Sequence, residues 1–309
     1  MKVPEAALDE YFGIFDSTIQ LAKDLIKKKQ HPQEILILLC ARLDALASDT
    51  ASGEVPNSEA FIRFVTGYGG HRSFFQGVSV GDLYYELGFH RWLLEGSIPK
   101  AGRLQRFSRV DDPALHLLVK SGVALTVKDA GRLIDKIMAA IRAKYRAVPH
   151  QPTTKPPFAK TSDITNTIVN AFKGPRLKDI GENLAAALCP LLRSTSVASI
   201  LYRRFRNESI HGAQVLLDER RFFAETMPYW TTISTEDYGP YHLLEFPVHF
   251  LLNTLRQCAR TFRTQIVKKG KLPPDVFFHV LTEDMFEYLE LLDHEMLPKP
   301  QYLKFHEGQ

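Results

Sequence analysis

Arg206, Asn207 and His211 are the side chains in this sequence whose types and spacing best suit a chemical reaction. They occur in the order R-N-x-x-x-H within residues 197–212, which read V-A-S-I-L-Y-R-R-F-R-N-E-S-I-H-G. Successive residues of an α-helix lie about 100° apart, so Asn207 and His211 are expected to share one face, with Arg206 beside them. One phosphate group could therefore meet all three side chains.

These residue types suit the cleavage of RNA without a metal ion. A base takes the proton from the 2′-hydroxyl, this oxygen attacks its own phosphate, and an acid protonates the leaving 5′-oxygen. Histidine side chains ordinarily titrate near neutrality, so a histidine at position 211 can serve in either step. Arg206 can stabilise the pentacoordinate phosphate with two parallel hydrogen bonds, and Asn207 can orient the phosphate or the imidazole. A single histidine does not readily act as both base and acid, so two copies of the site in a dimer would divide the work.

The motif Arg206-Asn207-x-x-x-His211 resembles the R-x(4–6)-H motif, with a polar residue after the arginine, of the HEPN superfamily of helical ribonucleases. The resemblance implies an up-and-down helical bundle and metal-independent endoribonuclease activity from a composite cleft of two HEPN units. It also implies that Arg206 and His211 are the active pair. Such proteins often act in toxin–antitoxin, CRISPR-linked or antiphage systems, so an antitoxin or regulatory protein is an expected partner.

The surroundings of the motif are basic, and RNA is the expected substrate. Between residues 193 and 221, six arginines oppose three acids. Such a surface can follow an RNA backbone, although a solvated helix face explains it nearly as well. Tyr202, Arg203 and Arg204 are the candidate RNA-binding residues.

The sequence that precedes the motif is similar to a segment earlier in the chain, a similarity that we call the sequence echo. Ser-Val followed by Leu-Tyr occurs from residue 79 and again from residue 196, with offsets of 117 and 118 residues. The echo is compatible with two diverged copies of one helical unit, and chance agreement is the alternative. Gly88 and Leu93 stand where Arg206 and His211 would be. Because the first half lacks the motif, a homodimer that pairs two C-terminal halves is expected.

Helical periodicity predicts an all-α chain of two bundles. Prolines among residues 148–162 indicate a linker between a degenerate HEPN-like domain, 1–147, and a HEPN-like domain that carries the motif, 163–309. No stretch predicts a β-strand, and the aromatic-rich residues 226–241 are expected to be a non-helical connection. Apolar residues at steps of three and four predict helices over residues 11–29, 33–47, 59–68, 78–95, 127–146, 163–172, 177–192, 243–268 and 275–292.

Composition excludes several other classes of protein. The longest apolar run, residues 35–41, is far shorter than the roughly 20 residues that cross a bilayer, and the acidic N-terminus is unlike a secretory signal. A cytoplasmic protein without membrane contact is expected. Cys40, Cys189 and Cys258 suit reduced core thiols. His242 and His249 lack nearby partners for a metal site, and no phosphate-binding or dinucleotide glycine pattern occurs, so neither a metal nor a cofactor is expected.

Two weaker interpretations of the motif remain open. In the first, Arg206 and His211 make ordinary hydrogen bonds on a solvent-facing helix. In the second, the chain is a non-catalytic HEPN-like module that binds nucleotide, RNA or a protein partner. Arg109 and His116 also satisfy the loosest form of the motif, but that match spans Asp-Asp-Pro and has valine after the arginine, so chance explains it.

Overall fold

The structure is a computed structural model that describes residues 5–51, 55–96, 127–145, 158–172, 175–203, 219–235 and 239–270. Of these residues, 81% are helical, which confirms the predicted all-α class. None of the described helices is long and apolar enough to cross a membrane.

Helices dominate the described part of the chain, and its strands form two antiparallel pairs. In chain order, the described elements are α1 (Glu5–Lys28), α2 (Pro32–Thr50), α3 (Asn57–Tyr68), α4 (Arg72–Phe75), β1 (Val78–Ser79), α5 (Val80–Gly96), α6 (Val127–Tyr145), β2 (Phe158–Ala159), α7 (Thr161–Ala171), α8 (Pro175–Ala187), α9 (Cys189–Ser194), α10 (Val197–Ile200), α11 (Glu219–Ala224), β3 (Tyr229–Thr235), β4 (Gly239–Glu245) and α12 (Val248–Lys269).

The first two helices form for the reasons that the sequence predicts. The apolar face of α1 is buried, including Phe12, Phe15 and Ile19. Helix α2 is apolar on several sides and lies deep in the core, and it begins at Pro32, whose missing N–H is no loss at the first position of a helix. Burial of these faces supplies most of the stability of such helices.

Two hydrophobic cores organise the described residues. The larger core joins α1 to α4 with α10, α11, Trp230 of β3, Leu244 of β4 and the long α12. The smaller core joins β1, α5 and α6 with β2 and α7 to α9. Both cores contain residues from before and after the predicted linker, 148–162. The division into 1–147 and 163–309 stays a prediction about independent folding.

The expectation that the chain has no strand was wrong. Strands β3 and β4 pair antiparallel from Tyr229 opposite Glu245 to Thr235 opposite Gly239. Aromatic and β-branched residues favour this hairpin, whereas Pro228, Gly239 and Pro240 suggest an irregular connection. In a two-stranded sheet each strand is an edge, where proline is tolerated.

Two predicted helices differ from the observed ones. The last described helix begins at Val248 rather than at residue 243, because residues 243–245 belong to β4. The predicted helix over residues 177–192 is two helices, α8 and α9, and a proline stands in the first turn of the second. That proline lacks the N–H that would continue the preceding helix. The predicted helix at 275–292 lies outside the described residues.

Candidate functional site

The helix that leads into the motif is anchored in the larger core. Residues 197, 198, 200 and 201 are all at most 1% exposed. Ser196 caps α10, because its Oγ accepts a hydrogen bond from the backbone N–H of Ser199 at 3.3 Å. The Ser199 hydroxyl donates in turn to the carbonyl oxygen of Arg193 at 2.7 Å. We call residues 197–203, which precede the motif in the sequence, the motif helix. Its start is fixed both by apolar burial and by its cap.

Tyr202 and Arg203, two of the predicted RNA-binding residues, come just after α10 in the chain. Residues 201–203 continue α10 as a π-helical turn. The ring of Tyr202 lies 5.4 Å from that of Phe61, so it packs partly against the larger core. The guanidinium of Arg203 donates to the carbonyl oxygen of Ser194 at 2.8 Å and lies 3.6 Å from the carboxylate of Glu86 on α5. Its side chain is 48% exposed, so one side of the guanidinium still faces solvent.

Arg204, Arg206, Asn207 and His211 lie outside the described residues. Their predicted roles, binding RNA for Arg204 and catalysis for the other three, therefore stay predictions.

An antiparallel bridge joins the start of the motif helix to the start of α5. The backbone N–H of Ser79 donates to the carbonyl oxygen of Thr195 at 3.0 Å, and that of Val197 donates to Gly77 at 2.9 Å. A local twofold axis, which exchanges Val78 and Ser196, relates these two hydrogen bonds to each other. The same axis therefore relates pairs of residues that are 118 positions apart in the sequence. This offset equals that of the Leu-Tyr pairs in the sequence echo. The two echoing segments thus lie side by side in one chain.

The α5 side of this bridge is held by β4. The Ser79 hydroxyl donates to Asp82 at 2.5 Å, and the same carboxylate oxygen accepts from the backbone N–H of Leu244 at 3.1 Å. A Cβ placed on Gly81 would lie 2.4 Å from the carbonyl oxygen of His242, so only glycine permits this approach. The hairpin therefore fixes the start of α5 and, through the bridge, that of the motif helix.

The other side chains considered from the sequence take structural roles. His242 is buried, its ring stacks on Trp230, and its Nδ1 lies 2.9 Å from the Thr232 hydroxyl. Within the described ranges, no group of three or more His, Cys, Asp or Glu residues could hold a metal ion. Tyr229 and Trp230 are buried, so these two aromatic residues pack β3 onto the core. The three cysteines are free thiols: Cys40 and Cys258 are buried and Cys189 is half-buried.

A second feature of the surface was not predicted from the sequence. A cleft of about 910 Å³ lies between α1 and α12, and the loop Gly69–His71 and residues 226–227 also line it. Its basic side chains are Lys23, Arg256, Arg260 and Arg263, whereas Asp16 is the single carboxylate among the lining residues. We call this feature the α1–α12 cleft.

The residues of the α1–α12 cleft are far apart in the sequence, which explains why no motif marks it. On α12 the polar residues 253, 256, 257, 260 and 263 recur at helical spacing opposite the buried face. That pattern is equally typical of a solvated helix face. Only the packing of α1 against α12 places Lys23 opposite these arginines.

Comparison of the chain with protein-family models, with curated proteins and with solved structures finds no match.

Proposed function

We propose that this chain is a metal-independent endoribonuclease of the HEPN type that acts as a homodimer. Arg206 stabilises the transition state, Asn207 positions the phosphate, and His211 acts as general base or acid. The observation that supports the proposal is that the R-N-x-x-x-H sequence follows residues 197–203, a helical segment whose start is capped and buried in the core. A rigid element of this kind holds reactive side chains better than a free loop.

The first described turns of the motif helix agree with this assignment. The buried residues 197, 198, 200 and 201 face the core, while Arg203 reaches solvent. Helical spacing from Arg203 predicts a place for Asn207 one turn further along, on the side away from the buried residues. A π-helical turn precedes the motif, and such turns occur frequently at functional sites.

In the proposed reaction the 2′-oxygen forms a bond to phosphorus while the bond from phosphorus to the 5′-oxygen breaks. The products are a 2′,3′-cyclic phosphate and a 5′-hydroxyl end. One proton leaves the 2′-hydroxyl and one reaches the 5′-oxygen, which is a task for two histidines in two chains. A toxin or antiphage role, restrained by a regulatory protein, fits such an activity.

The test is the cleavage of mixed RNA by the purified full chain in EDTA, beside Arg206→Ala and His211→Ala. Each variant is expected to lose roughly 100-fold or more in rate. General acid–base catalysis contributes about that factor for His211, and the loss of one donor to the transition state costs about as much for Arg206. Arg132→Ala, which removes an exposed arginine from α6, is the control and keeps the activity. RNA methylated at every 2′-oxygen is expected to stay intact, because the attacking hydroxyl is blocked.

Two outcomes would contradict this function. Equal cleavage by the wild type and both motif variants would show that another group carries the activity. No cleavage by any form, together with binding of RNA, would favour the non-catalytic binding module.

A further inference from the structure

We infer that the α1–α12 cleft binds the phosphate groups of a nucleotide or of an RNA strand. This binding does not depend on the chemistry of the R-N-x-x-x-H motif, because the cleft is lined by other parts of the chain. Its volume of about 910 Å³ is within the range of small-ligand sites.

The first argument is the charge of the two walls. Arg256 and Arg260 on α12 are exposed and Lys23 on α1 is half-exposed, and none of the three forms an ion pair with another described residue. Some arginines elsewhere on the described surface do have a carboxylate partner, such as Arg91, which lies 2.9 Å from Asp135. Lys23, Arg256 and Arg260 thus remain available to an anionic ligand.

The second argument is the placement of these cations along α12. Arg256 and Arg260 lie one turn apart on the same face, and like charges at this spacing destabilise a helix. Arg263, one turn further, is held by Asp9 at 2.5 Å. Asp16 is the single carboxylate of the cleft lining, so the repulsion is largely uncompensated there. Bound phosphate oxygens would neutralise it and accept hydrogen bonds from both guanidinium groups.

The third argument is that the cleft also offers neutral donors and an apolar contact surface. Asn253 and Gln257 lie beside the arginines on α12. Gly70 has a φ of +80°, and a Cβ there would lie 2.9 Å from Cγ of Gln257, so the loop closes tightly on this wall. Met227 is 62% exposed at the rim, where it can contact a base or a ribose. Phosphate binding by arginine with apolar contact to a base is a common mode of nucleotide recognition.

The experiment measures binding to the full-length protein with two probes. The first is a labelled single-stranded RNA with 2′-O-methyl groups, which cannot be cleaved by 2′-hydroxyl attack, followed by fluorescence anisotropy. The second is adenosine triphosphate, followed by calorimetry. Binding of the RNA alone identifies a strand as the ligand, and binding of the triphosphate alone identifies a free nucleotide. Binding of neither probe overturns the inference.

The variants locate the binding. R256Q/R260Q is expected to weaken binding of the probe about 10-fold or more, since a hydrogen bond to a charged group contributes about a factor of ten or more. For RNA, the slope of log affinity against log salt is expected to fall by about 1.4, which corresponds to two lost phosphate contacts. K23Q, on the opposite wall, is expected to weaken binding in the same direction. The control K268Q/K269Q removes two exposed charges from the end of α12, outside the cleft.

Two results would overturn the inference although RNA binds. One is equal affinity of R256Q/R260Q and the wild type, within twofold. The other is an equal loss in K268Q/K269Q, which would indicate a general charge effect. Binding of these probes is measured without cleavage, so failure of the cleft and failure of the nuclease proposal are separable. Because Arg256 and Arg260 are exposed and unpaired among the described residues, their replacement leaves the fold intact, which circular dichroism checks.

Discussion

At the scale of single residues, a buried polar pair links the first two helices. The hydroxyl of Tyr11 on α1 donates to the carboxylate of Asp49 on α2, and both side chains are less than 10% exposed. Burial, together with the charge of Asp49, raises the pKa of Tyr11 well above its ordinary value of 10. The sequence shows Tyr11 only as one more residue on an apolar face, because its partner lies 38 positions away.

The raised pKa of Tyr11 predicts a pH dependence of stability. Below pH 10 the stabilising contribution of the neutral phenol is complete. Above pH 10 the tyrosine ionises in the unfolded chain but not in the folded one, so the contribution is lost as the pH rises toward the raised pKa, at about 1.4 kcal/mol per pH unit. Urea titrations at pH 8 and pH 11 should show a smaller decrease for Tyr11→Phe than for the wild type. An equal decrease in both would contradict the assignment.

The cysteines give a second prediction at this scale. Burial raises the pKa of the Cys258 thiol, and the thiolate is the reactive form, so Cys258 is expected to be inert in the folded protein. Cys40 is fully buried, whereas Cys189 is half-buried at the edge of a shallow pocket. Alkylation by iodoacetamide, followed by mass spectrometry, is expected to label Cys189 first. In urea all three cysteines should react, and equal labelling in the native protein would contradict their described burial.

At the scale of elements, the described helices follow the periodicity of the sequence, because each buries one apolar face. The β3–β4 hairpin does not follow from the sequence alone. Its residues favour strands, but Pro240 and Gly239 suggest a turn, and the pairing of β3 with β4 decides the outcome. The start of the motif helix could be predicted from Ser196 as a cap, whereas its bridge to Val78 joins residues 118 apart and has no local signal.

Replacing a glycine by alanine is expected to have opposite effects on stability at two positions. Gly13→Ala on α1 is expected to raise the free energy of unfolding by about 0.5–1 kcal/mol, because alanine favours helix and nothing lies within 4 Å of the new Cβ. Gly81→Ala on α5 is expected to lower it by about 2 kcal/mol, because the new Cβ would clash with the carbonyl oxygen of His242. Urea denaturation measures both. Stabilisation by Gly81→Ala would contradict the close approach of α5 and β4.

The cap of the motif helix gives a prediction that connects stability with the proposed activity. Ser196→Ala removes the acceptor for the N–H of Ser199 and is expected to cost about 1 kcal/mol. Because the motif follows residues 197–203 in the sequence, RNA cleavage is expected to fall as well. Ser196→Asp retains an acceptor and should restore both quantities. Loss of activity in Ser196→Asp with full stability would show that the cap does not position the motif.

At the scale of the whole molecule, the two cores are built from segments distant in sequence. The larger core combines residues 7–75 with residues 197–266, and the smaller core combines residues 78–141 with residues 159–192. Proline content predicts where regular structure stops, but it does not show which segments pack together. That choice depends on the complementarity of apolar faces, which the sequence does not display.

This arrangement predicts the behaviour of a fragment. Residues 1–147 expressed alone would leave the apolar faces of α1, α2 and α3 without α12, which packs on all three. The fragment is expected to unfold without cooperativity and to associate, since exposed apolar faces of this size favour aggregation. Thermal denaturation followed by circular dichroism, together with sedimentation, tests this, and the full chain is the control. A cooperative, monomeric fragment would instead support the boundary at residues 148–162 as a limit between independent units.

The bridge between Val78 and Ser196 also bears on how the protein is made. A nascent chain that has left the ribosome as far as residue 212 contains the whole motif, but it lacks β4, which fixes the start of α5, and α12, which completes the larger core. The motif helix therefore gains its support only after residue 269 has emerged. If the chain cleaves RNA as proposed, a nascent chain that has not yet reached residue 269 is expected to leave intact the ribosome and the message that produce it.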